Sequence, residues 1–175
     1  MTSKASIARP APTEYAPYHE KYVSLIPEGD IVNTLIQQAN AMSSLLRSIP
    51  EAQADSRYAP DKWSIKEVVG HISDCERIFS YRALRFARND PSSQPGFEHD
   101  DYVRHAPFGD LPLSDLASEF ECVRHASVHL FKSLAEEAWL RTGNANGADL
   151  SVRAIAHIIA GHELHHVAIL RTRYL

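Results

Sequence analysis

His162 and His166 stand four residues apart in the run Gly161-His-Glu-Leu-His-His166. Ile155, Ile158 and Ile159 precede them, and Ile169 and Leu170 follow. At about 100° of rotation per residue, both imidazoles fall within about 20° of Ile155 on a helical wheel. A helix that aims two histidines along its own apolar stripe needs a partner for them. Two imidazoles one turn apart can grip one metal ion, and a firmly held ion needs a third protein ligand. That ligand should come from a facing helix. His71 is the best candidate, because it flanks the stripe Val68, Ile72, Cys75, Ile78 and Phe79 of another helical segment. The bland alternative is three core histidines bonded to backbone or water.

Other residues repeat parts of this pattern. His125 and His129 share the four-residue spacing, but they lie opposite Leu116, Phe120 and Val123 and should face solvent. His157 points away from the stripe of its helix. His165 sits about 80° off the stripe's centre, where it could support the ligands or be exposed. The run His162-Glu-Leu-His-His166 also fits H-E-x-x-H, the zinc-protease signature in which Glu163 would be the general base. Nine residues follow His166, too few for a further ligand downstream, and no sheet is expected to hold an extended peptide. That reading is set aside. Cys75 and Cys122, the only cysteines, match no zinc or redox spacing and read as reduced helical thiols.

The elements that must position these residues follow from periodicity and caps. The first 27 residues hold prolines at 10, 12, 17 and 27. They read as an arm, disordered or loosely packed over 1–14, ahead of a single domain over 15–175. Four helices are expected. The first runs from Asp30, an N-cap, to Ser48 before Pro50. The second runs from Ser64 to Asn89, opened by the capping box Ser64-Ile-Lys-Glu67 and closed by Pro91. The third spans Ser114 to Glu137, and the fourth runs from Ser151 almost to the last residue. No strand is expected. The connection over 90–113 is long enough for a parallel crossover between the second and third helices. The expected fold class is therefore all-α, a four-helix bundle with that crossover.

Charge and composition narrow the function. A net charge of −4 with no basic face argues against nucleic acid as a partner. No run of 18 apolar residues suggests a membrane helix, and no leader-like segment opens the chain. A cytoplasmic protein is expected.

Several segments together resemble the DinB/YfiT-like superfamily: Asp61-Lys-Trp-Ser-Ile-Lys-Glu-Val-Val-Gly-His71, Pro95-Gly-Phe-Glu-His-Asp-Asp-Tyr102, Glu137-Ala-Trp-Leu-Arg-Thr-Gly143, and Ala156-His-Ile-Ile-Ala-Gly-His162-Glu-Leu-His-His166. The resemblance implies a four-helix bundle with a long crossover. It also implies one divalent metal ion, nickel or zinc and less often iron, held by His71, His162 and His166. Members often form homodimers. Some are thiol S-transferases that join a small-molecule thiol (bacillithiol, mycothiol or glutathione) to an electrophile. The sequence departs from close bacillithiol-transferase relatives at Gly70, where a second histidine is frequent, and at Glu98, where aspartate is frequent.

The chemistry expected is metal-assisted nucleophilic transfer from a thiol, with a hydrolase or a non-catalytic metal-binding bundle as alternatives. Ligand imidazoles need orienting partners. Glu76, Glu163 and His165 are candidates, and the crossover loop could bring Asp100 or Tyr102 to the pocket. Arg82 or Arg85 could contact an acidic cosubstrate.

Overall fold

The structure, a computed structural model, describes residues 7–175. Each expected helix forms where its caps place it. α2 (Ile31–Ser48) follows Asp30, whose carboxylate accepts from the Val32 and Asn33 amides. α3 (Ile65–Ala87) opens on the reciprocal Ser64–Glu67 box, which satisfies two amides that the first helical turn leaves orphaned. α5 covers Leu113–Ser133 and α6 covers Val152–Ile169, capped by Ser151. Two short helices, α1 (Glu20–Val23) and α4 (His99–His105), lie in the arm and the crossover.

Side-chain contacts fix the directions of the four long helices. Along α3 and α5, Lys66 approaches Gly109, Arg77 pairs with Glu119, and Ser80 meets Ser127, so these helices run parallel. Gln38 bonds the carbonyl of Ala160 and Gln53 that of Tyr174, so α2 and α6 also run parallel. The Arg47–Glu121 pair and the bond from Leu113 N to Glu51 set α2 against α5. The loop over 90–113 is thus the crossover, and it carries α4 and a 3-10 turn at Phe108–Asp110.

The third helix ends earlier than expected. It stops at Ser133 and a 3-10 segment, Glu136–Leu140, follows. The strand expectation is corrected too. β1 (Thr142–Ala145) and β2 (Ala148–Ser151) pair antiparallel. Asn146 and Gly147 both take positive φ, 53° and 77°, which is the two-residue turn that the right-handed twist of a hairpin favours.

The expected boundary of the arm at residue 15 falls inside docked chain; residues 1–6 lie outside those described. Ile7 packs on the core, and Arg9 bonds the carbonyls of Val23 and Ile26. Glu14 accepts from Arg153 and from Ser151, pinning the arm to the start of α6. This cover explains His157. Its bearing away from the stripe aims it at the arm rather than at water, and it is buried with Nδ1 at 2.8 Å from the Arg153 carbonyl. Among the described residues no helix is long and apolar enough to cross a membrane.

The core divides into two apolar clusters. One centres on Leu35, Phe86, Phe131 and Ile155, the other on Met42, Ile72, Phe120 and Leu170. Two groups of buried polar side chains lie with them: an ionic trio of Arg124, Glu76 and Glu163, and the histidines.

Candidate metal centre

α3 supplies His71 and α6 supplies His162 and His166, and the antiparallel packing of these helices brings the three rings together. Nε2 of His162 lies 3.1 Å from Nε2 of His71 and 3.1 Å from Nε2 of His166. An imidazole nitrogen offers one in-plane site, either a proton or a lone pair. His162 Nε2 therefore cannot satisfy both neighbours by hydrogen bonding. A shared cation satisfies all three lone pairs at once. With metal–nitrogen bonds of about 2.0–2.1 Å, a separation of 3.1 Å corresponds to an angle near 100° at the ion, between octahedral and tetrahedral values. The residues fit the group.

The rings are held by aromatic neighbours. Tyr22 meets His162 edge-on at 5.3 Å and His165 at 5.6 Å. Trp63 packs against His71 at 4.5 Å and stacks toward His166 at 6.5 Å. Two glycines permit this packing. A Cβ at Gly161 would meet the Tyr22 carbonyl at 2.1 Å, so glycine lets α1 reach the turn that carries His162. A Cβ at Gly70 would meet the Phe108 ring at 2.4 Å, which explains why a second histidine has no room there.

Electrostatics keep the three rings neutral, the form that binds metal. Burial, then His99, pushes the His71 pKa down to about 3. Burial, then His71 and His165, pushes His166 down to about 3. His162 is held well below its usual range by burial and by both neighbours. Cys75 Sγ lies 3.6 Å from His71 Nδ1, and burial, then Asp74, raises its thiol to about 12.

The cluster opens on a cavity of about 550 Å³, with walls that include Tyr18, Phe79, Phe97, Arg82, Glu98 and His99. A larger cavity of about 780 Å³ near Leu46 and Pro112 contains none of these histidines.

The other residues singled out from the sequence separate into two groups. His165 lines the cavity. Glu76 and Glu163 do not, because Arg124 binds them both. Its Nε and Nη2 donate to Glu76 at 2.8 Å each, and its Nη1 approaches Glu163 Oε2 at 2.6 Å, an ion pair that lacks hydrogen-bond alignment. Glu163 thus points away from the histidines, and the protease role is absent from the geometry. Asp100 is exposed on α4, and Tyr102 packs at a tilt against Phe97 outside the cavity. Arg85 pairs with Asp90, whereas Arg82 reaches the cavity. His125 and His129 are exposed as expected.

Sequence reasoning missed Tyr22, Trp63 and His99. His99 meets His71 edge-on at 5.6 Å, and His71, Cys75 and His99 form a second group close enough to share an ion.

Residues 34–170 match the DinB superfamily along most of the bundle. The chain belongs to the DinB superfamily. A relative from Oceanobacillus iheyensis, whose name places it among metal-dependent hydrolases, is 26% identical over 132 residues, covering 74% of this DinB chain and 75% of its own. Among solved structures, YfiT from Bacillus subtilis, described as a probable metal-dependent hydrolase with an unusual four-helix bundle topology, superposes with a TM-score of 0.69 at 13% identity, over 79% of this chain and 80% of its own. A mycothiol-dependent maleylpyruvate isomerase superposes at 0.66 with 11% identity, over 83% and 61%. A DinB-like protein of Bacillus subtilis superposes at 0.60 with 20% identity, over 81% and 86%. At these identities the three structures share the fold.

Proposed function

We propose that this chain holds one divalent metal ion, nickel or zinc, on His71, His162 and His166, and that it transfers a low-molecular-weight thiol to a small electrophile. The observation that carries the reading is the convergence of three Nε2 atoms on one point, two of them 3.1 Å from the third. Three neutral imidazoles leave such an ion its full charge, and when bound it lowers the pKa of a thiol or water presented to it.

The chain's own residues supply the rest. Trp63, Tyr22, Phe79 and Phe97 wall the cavity with apolar surface and limit water. His99 is placed to take the thiol proton on a ring nitrogen, since its ring lies against His71 at the open side. The sulfur then forms the new bond to the electrophilic carbon as that carbon's leaving group, chloride in the case of monochlorobimane, departs with its bonding electron pair. Arg124 sequesters Glu76 and Glu163, so neither can act as the general base that hydrolysis needs. Hydrolysis is the second reading. It draws on the names of two relatives and on Glu98, a carboxylate in the cavity wall.

The test is consumption of monochlorobimane with cysteine, mercaptosuccinate or glutathione by metal-loaded protein. Turnover that requires thiol and vanishes in His162→Ala supports the transferase. Thiol-independent ester cleavage that requires the same histidine and Glu98 supports the hydrolase instead. Neither activity in metal-loaded protein overturns both.

A further inference from the structure

Arg82 has a charge that no carboxylate among the described residues neutralises. Its side chain is buried, at 6% exposure, yet among the described residues it pairs with no carboxylate. Its Nη2 donates to the Pro95 carbonyl at 2.7 Å, and the guanidinium lies 5.4 Å from the Phe79 ring centre and 5.8 Å from that of Phe97. A guanidinium offers five N–H donors, so most remain for another acceptor. Burial lowers its pKa, in keeping with a cation that lacks a protein counter-ion.

Its position gives that missing acceptor a place. Arg82 follows His71 by eleven residues on α3, which returns it to the same face within about 20° and about 16 Å further along the axis. Long helical side chains lean toward the helix N-terminus, so the guanidinium bends back toward the histidines and shortens the gap to on the order of 10 Å. His71, Cys75, Phe79 and Arg82 thus form one continuous wall of the cavity. Lys21 adds a second cation to that cavity, and among the described residues Glu98 is the only carboxylate lining it. In a chain of net charge −4 this is a local reversal of sign. Burial, then Arg82 and Lys21, pushes the His19 pKa down to about 4, and His19 Nδ1 is buried without a hydrogen-bond partner. His19 therefore adds no charge at neutral pH and is one more polar atom facing the same space.

We infer that Arg82 is the anchor of an anion subsite, and that the ligand of this cavity is a small molecule with a carboxylate at one end and its reacting group at the histidine end. This rests on the reading of the histidines as a metal centre, because that reading says where the reacting group must lie. The guanidinium would take the carboxylate as a two-pronged, charge-assisted hydrogen bond, with Phe79 and Phe97 fixing its plane.

The test is binding of carboxylate-bearing thiols (mercaptosuccinate, cysteine and glutathione) beside their ethyl esters. Metal-loaded protein is used, followed by calorimetry and by tryptophan fluorescence, to which Trp63 in the cavity wall contributes. At least one acid should bind about tenfold more tightly than its ester, as expected for a lost charged hydrogen bond. That preference should fall below about twofold in Arg82→Gln and be intermediate in Arg82→Lys, which keeps the charge without the fork. Equal binding of acid and ester to the wild type overturns the inference, as does a preference that survives Arg82→Gln. If Arg82→Gln does not fold, the wild-type comparison and Arg82→Lys decide. Elemental analysis of the same samples separates the two failures. Absence of metal overturns the reading of the centre, whereas full metal with no acid–ester preference overturns the Arg82 subsite alone.

Discussion

His162 and Glu163 are adjacent on α6, and both are almost fully buried, at 7% and 2% exposure. They enter two polar groups that handle burial in opposite ways. Glu163 joins Arg124 and Glu76 in an ionic trio that holds its own counter-charge. Burial alone would lower the Arg124 pKa, but the two carboxylates reverse that and raise it. Burial raises the Glu163 pKa, partly offset by Arg124. His162 instead joins two lone pairs that compete with its own, and nothing among the described residues satisfies all three. The trio is closed and structural. The histidine group is open and asks for a ligand. The difference shows how to sort buried polar residues on one helix: by whether their partners are already in the chain.

The largest effect should come from breaking the closed group. Arg124→Met leaves two buried carboxylates without a cation and should cost about 3–5 kcal/mol in urea unfolding. Replacing all three members with apolar residues of similar volume should recover most of that loss. If Arg124→Met alone is neutral, the trio is not a closed unit and the contrast fails.

Next in size is metal removal. A ligand present at about a hundredfold its dissociation constant stabilises the folded state by about 3 kcal/mol. Chelation should therefore lower the melting temperature of the wild type and leave His71→Ala unchanged. A chelator that shifts both proteins equally acts elsewhere.

Smaller still is the effect of removing one histidine from the metal-free protein. His162→Ala deletes a ring whose nitrogen has two competing neighbours, so the metal-free fold should change by no more than about 1 kcal/mol. A large loss would mark the histidines as ordinary core bonds. His125→Ala and His129→Ala should leave metal content and stability untouched, because both rings are exposed.

The histidines and the bundle were legible because each follows from periodicity. The caps at Asp30, Ser64 and Ser151 are local chemistry, and the His71, His162 and His166 bearings follow from a 100° step. Arg124 was legible too, though unread. It sits one turn after Phe120 and seven residues before Phe131, on the buried face of α5, and a charge there needs buried partners. Glu76 and Glu163 therefore looked like supports for the metal ligands when Arg124 already held them. The hairpin carried its own signal in Asn146-Gly147, hidden by strands of only four residues each. Tyr22, Trp63 and His99 had no local signal. They reach the site through the docked arm, the entry to α3 and the crossover, all set by tertiary packing.

The smallest effect lies in the arm. Burial raises the Glu14 pKa, but hydrogen bonds from Arg153, Ala11 and Ser151 outweigh it and lower it from 4.5 to about 2. A lowered folded-state pKa contributes stability that is fully present above about pH 4.5 and is lost as pH falls toward 2. Glu14→Gln should therefore destabilise the protein slightly at neutral pH and by less near pH 2, as read from melting curves across that window. A loss that is constant with pH would mean that the Glu14 charge contributes nothing.

An ion that completes the histidine group would be retained by the purified protein. The most direct measurement is metal content by elemental analysis of protein purified without a metal-binding tag, beside His71→Ala and His166→Ala. About one nickel, zinc or iron ion is expected per wild-type chain, and close to none in either folded variant. Wild-type protein that stays metal-free even after incubation with these ions, or variants that keep the wild-type content, would contradict this.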